Sequence, residues 1–203
     1  EVYAYKQDHQ PDFDAFCADN NLDHRPVIAL LAGSRKQEIK ANLRLMAEIA
    51  GTWNNDYQMV VAAAPGIDDE FYRECLGDNP ATLLRGQTYR ILQHSLAALV
   101  TSGTATLETA LFRVPQIVCY NMKAGRLANL GKKLLLKVPY ISLVNLIASR
   151  EVVPELVAAD MNPTNLQGYM ISILPGGSAR QRQLRDYEEV AQKLGEPGAP
   201  AKT

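Results

Sequence analysis

The chain has 203 residues, 47% of them hydrophobic, with 21 Lys and Arg against 22 Asp and Glu for a formal net charge of -1. Such a chain can bury a substantial core, and its balanced charge gives no overall basic field of the kind nucleic acid requires, so nucleic acid is not expected as a partner. Three cysteines, Cys17, Cys75 and Cys119, lie far apart with no CxxC pair, which argues against a disulfide scaffold or a zinc site and fits a reducing cytoplasm, while no apolar run reaches the roughly 18 residues a membrane span needs.

Residues 1–25 are polar and rich in Asp, with Phe13, Phe16 and Leu22 at near-helical spacing, and read as a short lead-in helix or linker. At Pro26 the rhythm changes. Val27 to Leu31 is a continuous apolar run, the pattern of a strand buried on both faces; Ala32-Gly33-Ser34-Arg35 then turns the chain into a helical pattern that continues through Trp53. The alternation recurs with a strand at Gln58 to Ala63, a helix at Asp68 to Leu76, a short strand at Thr82 to Leu84 and a helix at Tyr89 to His94. A strand at Leu96 to Val100 leads into Ser102-Gly103-Thr104-Ala105-Thr106-Leu107-Glu108 and an apolar helix pattern to Phe112, and Gln116 to Tyr120 is the last expected strand. Helices are expected at about 123–136, 151–159, 163–174 and 178–194, and the Pro- and Gly-rich tail 195–203 is expected to be disordered. Short apolar strands alternating with helices predict an α/β fold: a Rossmann-like parallel sheet with helices on both faces, spanning 26–194 and ending in a helical segment.

Ligands in such sheets bind at the C-terminal ends of the strands, and both glycine-bearing loops fall there. At Ser102, Gly103, Thr104, Ala105 and Thr106, glycine permits a sharp turn and close approach. The hydroxyls can donate, and the unpaired N–H groups of a helix start favour phosphate. At Gly33, Ser34 and Arg35 a tight turn again frees N–H groups, with a guanidinium fork suited to a diphosphate; the alternative is a solvated arginine at a helix start. Neither loop is a Walker motif or a GxGxxG fingerprint. Glu108, one turn into the second helix, can accept from a ribose attached to a diphosphate at that helix start, or merely complement the helix dipole. Asn145, Arg150 and Glu151 surround an apolar loop, for which simple helix capping is an equal reading.

Lys123, Arg126, Lys132, Lys133 and Lys137 alternate with leucines, and no acidic residue falls between Tyr120 and Glu151. A basic amphipathic helix of this kind can lie on an anionic membrane surface; it can equally be a surface helix packed on the sheet. His9, His24 and His94 show no triad-like spacing, His94 reads as a helix end, and no general base can be named.

Together these segments resemble the lipid-A-disaccharide synthase family. Leu30-Leu31-Ala32-Gly33-Ser34-Arg35-Lys36-Gln37-Glu38-Ile39 is similar to its LLPGSRxxEI segment and Ser102 to Glu108 to its SGTATLE. The long run Val138 to Ala148 followed by Arg150 to Leu156 is similar to VPYISLPNLIAGREVVPEL. Ala32 and Val144 replace prolines, and Ser149 replaces a glycine, which puts the local backbone at 149 in question. The resemblance covers roughly Pro26 to Leu194 and corresponds to the C-terminal half of a GT-B fold, two Rossmann-like domains facing across a cleft.

The resemblance implies a domain that binds UDP-2,3-diacylglucosamine through diphosphate, ribose and uracil, with the uracil near Arg85 to Thr88. A separate N-terminal domain would bind 2,3-diacylglucosamine 1-phosphate (lipid X) and supply most acid and base groups. The implied reaction forms a β-1,6 linkage, releases UDP and needs no cofactor or tightly bound metal. Arg35 would stabilise the leaving group, and Asn145, Arg150 and Glu151 would line the cleft, Asn145 and Glu151 touching the donor. The implied location is the cytoplasmic side of the inner membrane, peripherally bound, with a homodimer allowed. Competing readings are another GT-B-like sugar-nucleotide enzyme, such as an epimerase or N-acetylglucosaminyltransferase, and a nucleotide-binding module without catalysis.

Overall fold

A computed structural model describes residues 1–101, 103–121 and 140–195. Six strands form one parallel sheet: β1 (Val27–Leu31), β2 (Gln58–Ala63), β3 (Thr82–Arg85), β4 (Ser95–Val100), β5 (Gln116–Tyr120) and β6 (Glu155–Val157), in the order β3-β2-β1-β4-β5-β6. Successive strands step outward from β1 to β3, and the chain then returns to place β4 on the other side of β1. The order therefore reverses between β1 and β4, which is where loops part and leave a crevice.

The continuous apolar runs exist because both faces are covered, and alternate residues of each strand serve different faces. Ile28, Leu30, Met59, Val61, Ala97, Leu99, Ile117 and Cys119 pack on α3 (Lys36–Ala50), α4 (Asp69–Leu76) and a later helix at Pro163–Ile173. Val27, Ala29, Leu31, Val60, Ala98 and Val100 face the other way. They meet Val2 of α1 (Val2–Asp8), Phe16 of α2 (Phe13–Asn20), Ile91 and Leu92 of α5 (Thr88–Gln93), and Phe112 just after α6 (Thr104–Leu111). The lead-in is thus two helices rather than one, and Phe16, with no exposed surface, makes them part of the core. His94 ends α5 as expected: its Nε2 accepts from the Asp12 N–H at 3.1 Å, which leaves Nδ1 to donate to the Arg90 carbonyl at 2.8 Å, and Phe16 stacks on its ring.

The C-terminal region departs from expectation. No helix spans 151–159; instead α7 (Leu143–Ala148) comes before it, and Glu155–Val157 adds β6 to the edge of the sheet beside β5. The Ser142 hydroxyl caps α7 by accepting from Asn145 N–H, and Ser149 ends it in the left-handed region at φ 57°. The glycine-type backbone at 149 is therefore kept, with a serine bearing the steric cost. α8 (Pro163–Ile173) and α9 (Arg180–Leu194) complete the described chain, α9 being tied to β5 by a buried exchange in which Gln116 N–H donates to Gln183 Oε1 and Gln183 Nε2 donates to the Gln116 carbonyl. Among the described residues no helix is long and apolar enough to cross a membrane. The expected basic helix at 123–136 and the tail from 196 onward lie outside the described residues.

A left-handed conformation costs a β-carbon-bearing residue roughly 1–2 kcal/mol, part of which glycine gives back as chain entropy. Ser149→Gly is expected to raise stability by about 0.5–1 kcal/mol, measured as an increased urea midpoint at unchanged slope; an unchanged or lowered midpoint contradicts this account of the α7 terminus.

Candidate functional site

A cleft of about 500 Å³ opens at the C-terminal ends of β1, β2 and β4, in the size range of small-molecule sites. Leu31, Ala63 and Thr101 form its floor, the loops at 33–35 and 103–105 flank it, and Gly86, Thr88 and Glu108 reach its wall. This is the crevice that the reversal of strand order creates. Three helix starts border it, those of α3, α5 and α6, and the two that follow the glycine loops, α3 and α6, differ in condition.

At α3 the seat is taken. Glu38 folds back over the first turn so that its Oε2 accepts from the N–H groups of Ser34 (3.2 Å) and Arg35 (3.3 Å), while Oε1 pairs with the Arg35 guanidinium at 3.2 Å. Gly33, at φ 105°, serves this arrangement, since a β-carbon there would stand 2.6 Å from Glu38 Oε2. Ser34 and Arg35 line the cleft as expected, but their backbone donors are spent on an internal carboxylate rather than left open for a diphosphate. The Arg35 side chain is 79% exposed, so its pair with Glu38 is worth little and leaves it able to reorient at the rim. Asn42, buried one turn further, links α3 to the end of β5 by donating to the Glu38 carbonyl and accepting from Asn121 N–H at 2.7 Å.

At α6 the seat is open. Gly103 caps the helix at φ 119°, a conformation that suits glycine, and the first N–H groups, on Thr104 and Ala105, have no acceptor within the helix. Thr101, 2% exposed, has a buried hydroxyl with no partner among the described residues and stands in the cleft floor between the two loops. Buried hydroxyls are normally paired, so this one is a candidate donor to a ligand. Thr106 differs from expectation. It is fully buried and its hydroxyl donates to the Gly103 carbonyl at 2.8 Å, which stabilises the turn rather than a ligand. Ser102 lies outside the described residues, as do Lys123, Arg126, Lys132, Lys133 and Lys137.

Glu108 faces the cleft one turn into α6, its Oε1 accepting from the Tyr89 hydroxyl at 3.1 Å. Burial first, and the adjacent Glu108 carboxylate second, push the Tyr89 phenol up to about 12, so it stays a donor at neutral pH. In the expected uracil loop, Gly86 and Thr88 line the cleft but Arg85 turns away, donating to the Ala64 carbonyl (3.0 Å) and to Asp69 (2.9 Å), which fixes the loop after β2.

The structure does not bring Asn145, Arg150 and Glu151 to this cleft. Asn145 is fully buried with its amide saturated: Nδ2 donates to the Val153 carbonyl and Glu155 Oε1, both at 2.8 Å, and Oδ1 accepts from Val152 N–H (2.7 Å) and Val153 N–H (3.0 Å). No valence is left for a donor sugar. Arg150 forks onto Asp186 at 2.9 and 3.0 Å and reaches Glu189 at 2.7 Å, bonds that raise its pKa further and tie the end of α7 to α9. Glu151 precedes β6 and lines a separate cavity of about 390 Å³ with Pro154, Asn165, Ser178 and Arg182. That cavity lies at the N-terminal edge of the sheet, where Arg180 reaches the Leu96 carbonyl at the start of β4. Glu151 is therefore at the opposite end of the strands from the open α6 start.

Sequence reasoning missed Glu38, Thr101 and Tyr89. Glu38 carried a signal, a glutamate three residues after the residue that begins the helix, the second half of a capping box. Thr101 directly precedes the second glycine loop, but that its hydroxyl is buried and unpaired had no sequence signal, and Tyr89 carried none because packing of α5 brings it to Glu108.

A family model described as Lipid-A-disaccharide synthetase matches residues 6–201. A lipid-A-disaccharide synthase of Anaeromyxobacter dehalogenans is 36% identical over 182 residues, covering 87% of this chain and 47% of that protein. Among solved structures, a glycosyltransferase from Rickettsia africae superposes with a TM-score of 0.57 at 11% identity over 92% of this chain and 48% of its own. A structure described as a UDP-N-acetylglucosamine 2-epimerase, from Listeria monocytogenes, superposes with a TM-score of 0.56 at 16% identity, over 95% and 50%. At such identities the likeness is one of fold. The chain spans about half the length of the curated relatives it matches.

A saturated, buried Asn145 predicts a structural phenotype. Asn145→Ala strands two backbone N–H groups and a carbonyl and removes one of the bonds to Glu155, and is expected to cost at least about 3 kcal/mol in urea unfolding; a loss below about 1 kcal/mol would show that the network is dispensable.

Proposed function

The chain belongs to the lipid-A-disaccharide synthase family, and from that premise we propose that it is the donor-binding half of a glycosyltransferase that takes a sugar from UDP-2,3-diacylglucosamine. The observation that carries this reading is the open start of α6 beside the unpartnered Thr101 hydroxyl, with Glu108 one turn away on the same wall. An N-terminus and a hydroxyl suit a diphosphate, and a carboxylate at that offset suits the adjoining ribose. Gly86 and Thr88 bound the space left for uracil.

In the proposed reaction the 6-hydroxyl oxygen of the acceptor, lipid X, attacks the anomeric carbon of the donor. The bond from that carbon to the diphosphate breaks, its electron pair staying on the phosphate oxygen, and the acceptor's proton passes to a base in the other half of the enzyme. Inversion gives the β-1,6 linkage and free UDP. The N–H groups of Thr104 and Ala105 and the rim guanidinium of Arg35 stabilise the charge that grows on the departing diphosphate. Each well-aimed donor is worth on the order of 2–4 kcal/mol. The basic segment containing Lys123, Arg126, Lys132, Lys133 and Lys137 supports peripheral attachment to the anionic cytoplasmic face of the inner membrane, where both acylated substrates reside.

The 203-residue chain is expected to bind UDP weakly and to show no transferase turnover on its own. Titration calorimetry is the measurement: Glu108→Gln and Arg35→Ala should each lower UDP affinity, by about tenfold for Glu108→Gln and less for exposed Arg35. A folded sample without binding heat, or affinity untouched by both changes, counts against this site. Vesicle co-sedimentation tests the membrane reading. Binding should grow with the fraction of anionic lipid and fall on charge reversal at Lys132 and Lys133; indifference to both removes it.

A further inference from the structure

Tyr89 stands behind the cleft wall, against the lining residue Glu108, without a part in the proposed chemistry, and its ring and hydroxyl are both engaged. The ring is held from two sides, by Tyr5 edge-on at 5.4 Å and by Phe112 at a centroid distance of 5.4 Å. Tyr5 is itself stacked on His9 at 4.2 Å, and the neighbouring Lys6 ammonium donates to the Leu111 carbonyl at the end of α6, so α1 clamps both the tyrosine and the helix that carries Glu108. The hydroxyl ends 3.1 Å from Glu108 Oε1. The next residue toward the N-terminus, Thr88, lines the cleft.

We propose that Tyr89 is a positioning residue that holds one oxygen of the Glu108 carboxylate so that the other is presented to a vicinal diol, the ribose of the bound nucleotide. The proposal rests on the reading of Glu108 as the ribose acceptor. A glutamate side chain has three rotatable bonds, and on a surface helix it samples several rotamers whose freedom must be lost on binding. A hydrogen bond to a packed phenol removes much of that freedom beforehand, which is the general advantage of preorganisation. The bond also leaves chemistry for the ligand: a carboxylate has about four lone-pair sites, and Tyr89 uses one of them. Because burial and the adjacent carboxylates of Glu108 and Glu1 keep the phenol protonated well above neutrality, it retains a proton to donate, for which Glu1 is a second acceptor beside Glu108.

The test uses Tyr89→Phe, which keeps the ring and its packing and removes only the donor. Calorimetry on the 203-residue chain is run with UDP and with 2′,3′-dideoxy-UDP. The expected result is a loss of about three- to tenfold in UDP affinity, the size of one hydrogen bond, with dideoxy-UDP bound as by the unaltered chain. Equal losses for the two nucleotides mean that Tyr89 only supports the local fold, and no loss for UDP means that Glu108 needs no orientation; either overturns the proposal. Glu108→Gln separates the two levels. If it binds UDP as tightly as the parent, the ribose reading fails and takes this proposal with it, whereas a loss in Glu108→Gln with none in Tyr89→Phe removes the positioning role alone.

Discussion

The N–H groups at a helix start must find acceptors, and at the switch point of this sheet the two helices that follow the glycine loops present theirs to the same crevice. Everything specific about the site follows from how the chain meets that requirement. α3 meets it internally, with the carboxylate of Glu38 lying on Ser34 and Arg35 and with Gly33 leaving room for it. α6 begins at a glycine, which has no side chain to cap it, and among the described residues no side chain accepts from its first N–H groups. Two glycine loops that look alike in sequence are therefore unlike in charge: one is already neutralised by an anion of the protein, and the other has no such partner among the described residues. A second negative group near α3 would meet Glu38, so the diphosphate of the proposed donor is better accommodated at α6 and Thr101, with the exposed Arg35 at the rim.

The sheet was largely legible because a strand buried on both faces is apolar almost throughout, and four such runs stand out from Val27 to Tyr120, with the shorter edge strand β3 readable from its place in the alternation. β6 was not. It has three residues, begins with the charged Glu155 after Pro154, and pairs along only one edge, so it carries neither a run nor a period. The six-residue α7 is likewise too short for helical periodicity, and its limits are set by Ser142 and by a left-handed Ser149, which a sequence pattern does not announce. In the site, glycine marked both loops, whereas the filling of one depended on a side chain folding back, and the Tyr89 contact joins residues 19 apart through packing. Local chemistry was readable; which donors remained unspent was not.

The block from Ser142 to Glu155 shows how internal pairing can make a long sequence segment specific. Glu155 accepts from the N–H groups of Ile141 and Ser142, from the Ser142 hydroxyl and from the Asn145 amide, at 2.7 to 2.9 Å. Asn145 returns its oxygen to Val152 and Val153. A buried polar network of this kind is stable only when every member is paired, and so each residue identity is dictated by the others. That interdependence makes the segment recognisable, and its product is geometric: it seats α7 against α6 through Val144, Ala148 and Ala110 and lays β6 beside β5. The opposite side of α6 carries Glu108 toward Tyr89. α6 is thus held between a saturated scaffold and the clamp of α1, so that in the proposed reaction the N–H groups of Thr104 and Ala105 would keep their direction as charge moves onto the leaving group. Electrostatic stabilisation depends on dipoles that do not have to reorganise during the reaction, and this packing supplies that rigidity from residues that never reach the cleft.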